Sequence, residues 1–262
     1  MRRAAFLTTI LLAAGALAAI ALGQAKGSPR ANIPPEAEFQ LTRMVYRTYG
    51  GGGSRGWFQP WWAIDYPLAE EHFLPALGRM TRLSVAADSR HLDITESRIF
   101  EYPFLWIQQP GRGDWNPTAV EAARLREYLL RGGFLIIDDF HGEYEWAVLE
   151  AAIRRVFPER QIEEIPAEDS VMHVFFDLNE RAQIPGRRHL RRSGSGETVA
   201  QMQGPAHWRG IRDDDGRLMV VMNYNMDMGD AWEHADDPVY PLDMTGFAYR
   251  LGVNYAIYAM TH

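Results

Sequence analysis

The sequence predicts an α/β protein: a three-layer sandwich with helices on both faces of a mostly parallel central sheet. Three observations predict it. A helical pattern opening at Asn116 gives way after Gly132 to the continuous apolar run Phe134-Leu135-Ile136-Ile137, the pattern of a strand covered on both faces. A second helical pattern, about Glu143 to Val156, follows at once, and alternation of strand and helix implies right-handed crossovers and a parallel sheet. The chain has 262 residues, 47% of them hydrophobic, which is ample for one packed core.

Each element has its own local signal. Phe39 to Tyr49 alternates as a first strand and runs into the glycine loop Gly50 to Gly53. Asp65 is expected to cap a helix that carries Pro67 at an early position and continues through Met80. Leu83 to Ala86 and Phe104 to Gln108 read as short strands. Asn116-Pro117 starts the clearest helix, with Asn as N-cap, Pro at the first helical position, an apolar face through Ala122, Leu125 and Leu129, and Gly132 as the stop. Pro158 ends the Glu143 helix. The turn Asp213-Asp214-Asp215-Gly216 joins two later strands, the second being Leu218 to Met222. Met244, Phe247, Ala248, Leu251, Tyr255 and Tyr258 recur at helical spacing, so this closing aromatic stripe reads as core rather than as a cofactor box.

The N-terminus is built differently. Arg2 and Arg3 precede an Ala- and Leu-rich stretch from Ala4 to Leu22 and then small residues, the build of a secretory signal, so residues 1–25 are expected to be a signal peptide or an uncleaved membrane anchor. The polar, Pro-containing segment 26–38 reads as a tether, and 39–262 as one α/β domain. The expected location is therefore exported: periplasmic, or membrane-anchored facing the periplasm, with membrane contact only through the N-terminal segment. The chain has no cysteine, which excludes disulfides, thiol catalysis and Cys-ligated zinc. A net formal charge of −7 repels a polyphosphate and argues against a nucleic-acid partner. The basic run Arg187, Arg188, Arg191, Arg192 precedes Ser-Gly-Ser-Gly and reads as a solvated loop.

Candidate functional residues fall where predicted strands end. In an open α/β sheet ligands collect outside the carboxyl ends of the strands, where loops leave a crevice. Asp138, Asp139 and His141 follow the Phe134 strand. If that strand persists through Asp139, the two aspartates point to opposite faces, and one of them caps or braces the following helix. A second polar cluster follows the Leu218 strand: Asn223, Asn225, Asp227, Asp230, Glu233 and His234, with Trp232 among them and Trp146 near the first cluster. Gly52 and Gly53, after the first strand, let backbone approach a ligand closely. Ser54 matches a Gly-x-Ser-x-Gly elbow in form only, because Pro60 follows too soon for a helix. His141-Gly142-Glu143 lacks the cysteines of zinc deaminases. Carboxylates with a histidine suit a divalent cation, whereas Met226 and Met228 read as packing.

Several stretches are familiar together. EYPFLWIQQPG, the GGFLIIDDFHG unit, VMHVFFDL, NYNMDMGDAWE and LGVNYAIYAMTH resemble an uncharacterised bacterial family, domain of unknown function four-one-five-nine, over Phe39 to His262. The resemblance implies a flavodoxin-like or class I glutamine amidotransferase-like three-layer fold, and larger relatives join it to membrane-anchored modules. Amidotransferase chemistry is not implied, because the required cysteine is missing. Three functions stay open: a noncatalytic binding or accessory domain of the envelope with a polar, carbohydrate-like ligand or a protein partner; a hydrolase using Asp139 or His141 as base with Asp227 or Glu233 as acid or metal partner; and a structural component of an envelope assembly. In the first, Gly52, Gly53, Asp138, Asn223, Asn225, Asp230 and Trp232 form the ligand site.

Overall fold

The structure, a computed structural model, describes residues 37–52 and 58–262, and Ala37–His262 form one compact unit. The expected signal or anchor and most of the tether lie outside the described residues, as do Gly53 and Ser54. Among the described residues no helix is long and apolar enough to cross a membrane.

The strands in chain order are β1 (Thr42–Val45), β2 (Gly51–Gly52), β3 (Gln59–Pro60), β4 (Arg90–Asp93), β5 (Phe104–Gln108), β6 (Phe134–Phe140), β7 (Glu163–Glu164), β8 (Leu190–Arg192), β9 (Thr198–Ala200), β10 (His207–Arg212) and β11 (Leu218–Tyr224). The α-helices are α1 (Leu68–Thr81), α2 (Ala119–Leu130), α3 (Gly142–Val156), α4 (Met228–Glu233) and α5 (Leu242–Thr261). A seven-stranded sheet runs β4-β1-β5-β6-β11-β10-β7. Its first five members are parallel, while β10 runs antiparallel to both β11 and β7. Counted among themselves, the five parallel strands stand in the order 2-1-3-4-5, whose direction of winding reverses between β1 and β5; such a switch point opens a crevice at the carboxyl edge.

Side-chain alternation builds the two outer layers. Phe104, Trp106, Phe134, Ile136 and Val221 face the side covered by α1, α4 and α5. Leu105, Ile107, Leu135, Ile137, Val220 and Met222 face α2 and α3. Every residue of β6 is buried, which accounts for its uninterrupted apolar run. Each fully buried Leu, Ile or Phe contributes about 1.5–3 kcal/mol.

Three local expectations are corrected. The second helix is capped by Thr118, not Asn116: Thr118 and Glu121 form a reciprocal capping box, which satisfies two helix-end N–H groups where an Asn two residues earlier satisfies none. Asp65 does not cap α1 with its side chain; the carboxylate turns instead to Gln108. Leu83–Ala86 makes a single bridge, Phe39 to Val85, and the outer neighbour of β1 is the polar edge strand β4, whose charged residues hid it. The Asp213–Gly216 turn does join two antiparallel strands, β10 and β11.

Candidate functional site

The site begins with an arginine in the middle of β1. Arg43 is fully buried, and its guanidinium forks onto Glu70 of α1, with Nη2 donating to Oε2 at 3.0 Å. Nη1 donates to the carbonyls of Trp62 and Ile64 at 3.2 and 2.8 Å. These bonds tie down the segment between β3 and α1 and so aim Asp65. At Asp65 the backbone is left-handed, with φ of 67°. Its Oδ2 accepts from Gln108 Nε2 at 2.6 Å. Gly229 permits this approach, since a Cβ there would collide with both the Asp65 carboxylate and the Gln108 amide.

The ends of β5, β6 and β11 form the wall. Left-handed backbone recurs at Gln109 and Asn225, just past β5 and β11, and at Asp139 near the end of β6, with φ of 45°, 57° and 52°; strain of this kind gathers where function requires a fixed geometry. Asp138 and Asp139 take different partners. The Asp138 carboxylate accepts from Asn223 Nδ2 at 3.0 Å and from the backbone N–H groups of Met228 and Gly229 at 2.8 and 3.2 Å, so it braces α4 rather than the α3 helix that follows it in sequence. Asn223 is held in turn by the Tyr255 hydroxyl, which donates to Oδ1 at 2.9 Å. Burial pushes Asp138 up to about 7, against the hydrogen bond from Asn223.

Asp139 points the other way, into a cleft. It accepts from Gln109 Nε2, from Arg188 Nη2 at 3.0 Å, and lies 3.1 Å from His141 Nε2. Burial alone would raise its pKa, but the Arg188 guanidinium, with His141 and Gln109, outweighs burial and holds the carboxyl well below the usual range. Asp65 and Asp227 go the opposite way: burial, then neighbouring carboxylates, push both well above it. His189, whose ring lies 4.5 Å from that of His141, is pushed down to about 4 by burial, His141 and Arg188, and is neutral at pH 7.

The cleft has a volume of about 320 Å³. Of the sequence-predicted residues, Gly52, Asp139, Asp230 and Glu233 line it, with His234. His141, Asp138, Asn223, Asn225 and Asp227 are buried behind that wall. Asn225 supports the wall, accepting from Gly142 N–H at 2.9 Å and donating to the Pro205 carbonyl at 2.9 Å. Trp232 is corrected: it is 1% exposed, stacked on Phe73 at 4.0 Å, and belongs to the core beneath α4. Trp146 packs against Phe140 and Tyr224 and does not line the cleft. Met226 and Met228 are fully buried packing.

Sequence reasoning missed the other wall: Trp61, Asp65, Gln109, Arg112, Arg187 and Arg188. The basic run read as a solvated loop instead sends Arg188 into the cleft against Asp139, because a buried ionised carboxylate must find a partner. An arginine inside β1 (Thr42–Val45), between buried residues, was the sequence signal for a buried ion pair, and hence for a fixed loop at Asp65. Three groups of side chains among the described residues place potential metal-ligating atoms within 4.8 Å of one another: Asp139, His141 and Asp227; Asp230, Glu233 and His234; Asp65, Asp227 and Asp230.

Residues 43–260 match the model of the family described as Domain of unknown function (DUF4159). The chain belongs to this family. A search of curated proteins finds no match. The match to DUF4159 takes in every described residue of the cleft, from Gly52 to His234.

Proposed function

We propose that this chain is an exported binding or accessory domain whose cleft takes a small polar ligand rich in hydroxyl groups, of carbohydrate type. The observation that carries the reading is a pair of unsatisfied groups on one wall. Gln109 Oε1 accepts no hydrogen bond from any described residue, and Arg188 Nε donates none. A hydroxyl both donates and accepts, so a polyol supplies what each group lacks. Trp61 adds an indole to the same cleft, with the Arg112 guanidinium 5.4 Å from its ring, and aromatic surface beside polar groups suits a sugar ring. The volume lies at the lower end of the range for small-molecule sites.

Binding is favoured over hydrolysis because the residues best suited to proton transfer are out of reach. His141 and Asp227 do not line the cleft, whereas Gln109 and Arg188 do, and Asp139 is already occupied by three donors. A general base has to stand within hydrogen-bond reach of its substrate.

The test is a thermal-shift panel of neutral sugars, amino sugars and sugar acids on the full chain and on Gln109→Leu, each read against its own ligand-free midpoint. A sugar at about 100 times its Kd is expected to stabilise the wild type by about 2.7 kcal/mol and the variant by much less. A panel without effect on the wild type, or equal shifts in both proteins, overturns the reading. The export component rests on the residue 1–25 pattern; N-terminal sequencing of the protein recovered from its host checks it, with an intact N-terminus in a cytosolic fraction as the contrary result.

A further inference from the structure

We propose that Asp65, Asp227 and Asp230 together bind one hard divalent cation. Two segments supply the carboxylates: the loop before α1, and the N-cap and first turn of α4. One oxygen of each lies within 4.8 Å of the others. Oxygens bound to one cation at 2.3–2.6 Å lie at most about 4.6–5.2 Å apart, and the three carboxylates fall within that limit.

A second observation points to the ligand. Asp227 is fully buried, and its Oδ2 accepts no hydrogen bond from any described residue. The other oxygen, Oδ1, is committed to the Asp230 N–H at 2.8 Å. The position a Cβ on Gly186 would occupy lies 2.7 Å from Asp227 Oδ2 and 3.2 Å from Asp230 Oδ2. The unpaired oxygen and its neighbour therefore face the same space, which Gly186 leaves free of a side chain. His189 Nδ1, also without a partner, is 3.3 Å from the same point. A buried carboxylate oxygen without a donor is costly, and a cation bound to Asp227 Oδ2 removes that cost.

The nearby cations are committed elsewhere. Arg188 donates to Asp139, Arg187 Nε to Asp237 at 3.0 Å, Arg112 to Glu145 at 3.3 Å, and Arg43 to Glu70. Asp230 accepts the backbone N–H of Arg187, at 2.6 Å, and faces His234 Nε2 at 3.7 Å. The two alternative groups are weaker. In the first, Asp139 is already taken by Gln109 and Arg188, and the second sits on one partly exposed helical turn with no unpaired buried atom.

The proposal stands apart from the sugar reading, because the probe is the metal alone. Mn²⁺ is titrated into the full chain and the free-ion EPR signal recorded, with Ca²⁺ and Mg²⁺ as competitors. One Mn²⁺ per chain is expected. Asp227→Asn keeps an oxygen to cap α4, and both it and Asp230→Asn should weaken binding more than about tenfold, while Asp243→Asn, at an exposed position in the first turn of α5, binds as the wild type does. Circular dichroism confirms that each variant is folded. An undiminished free-ion signal with millimolar wild-type protein, or unchanged affinity in both folded variants, overturns the assignment.

Discussion

Replacing Glu70 by Gln should destabilise the fold and loosen the cleft together, and the size of the effect follows from the surroundings of Arg43. Both side chains of the pair are at most 1% exposed. The guanidinium makes a two-pronged bond to Glu70, donates to two carbonyls and lies 4.3 Å from the centroid of the Trp106 ring. The amide accepts from only one prong and carries no charge, so a cation remains buried without its counter-ion. Breaking a buried pair in this way costs about 3–5 kcal/mol. For a domain of this size that is a midpoint lowered by roughly 6–20 °C. Urea and thermal unfolding followed by tryptophan fluorescence give the number, and a midpoint lowered by less than about 2 °C refutes the reasoning. An apolar double variant, Arg43→Met with Glu70→Leu, should be milder than Glu70→Gln because no charge is stranded. It should still impair ligand binding, since the Trp62 and Ile64 carbonyls beside Asp65 lose their donor.

Two further outcomes follow from the same geometry. Asp138 titrates near 7 in the folded chain against 3.8 for the free group, so the native state holds a proton that the unfolded state has released; stability declines as pH rises through that window. Asp138→Asn should remove that part of the decline in urea midpoints measured across it, and identical pH slopes in the two proteins would contradict the assignment. Gly229→Ala should cost about 1–3 kcal/mol by driving a Cβ into Asp65 and Gln108. Gly246→Ala, which meets nothing within 4 Å in α5, should gain up to about 1 kcal/mol as a better helix former. Similar midpoints for the two alanine variants would argue against the close approach at Gly229.

The fold was legible because its strongest signals are long and local. The apolar run of β6 with helices before and after it, the turn before β11 and the striped closing helix each state their structure in an unbroken stretch of sequence. Short polar elements were not legible: β4 is an edge strand that reads RHLD, and the Thr118-x-x-Glu121 box was masked by the neighbouring Asn-Pro. The site was half legible. Asp139, Asp230 and Glu233 could be placed at strand ends by topology alone. Trp232 and Arg188 exchanged roles relative to expectation, because burial of an indole and pairing of a guanidinium depend on contacts with Phe73 and Asp139, far away in sequence. Asp65, first read as a helix cap, shows the same limit, since its partner Gln108 and the Arg43 that holds its loop come from β5 and β1.

The central claim is that charged groups remote in sequence meet in one cleft at the carboxyl edge of the sheet. A double-mutant cycle on Arg188→Met and Asp139→Asn, measured as unfolding free energies, tests it most directly. The 3.0 Å bond between a buried carboxylate and the cleft guanidinium should give a coupling of about 1.5 kcal/mol or more. Additivity within about 0.5 kcal/mol, the behaviour of residues that do not touch, would contradict it.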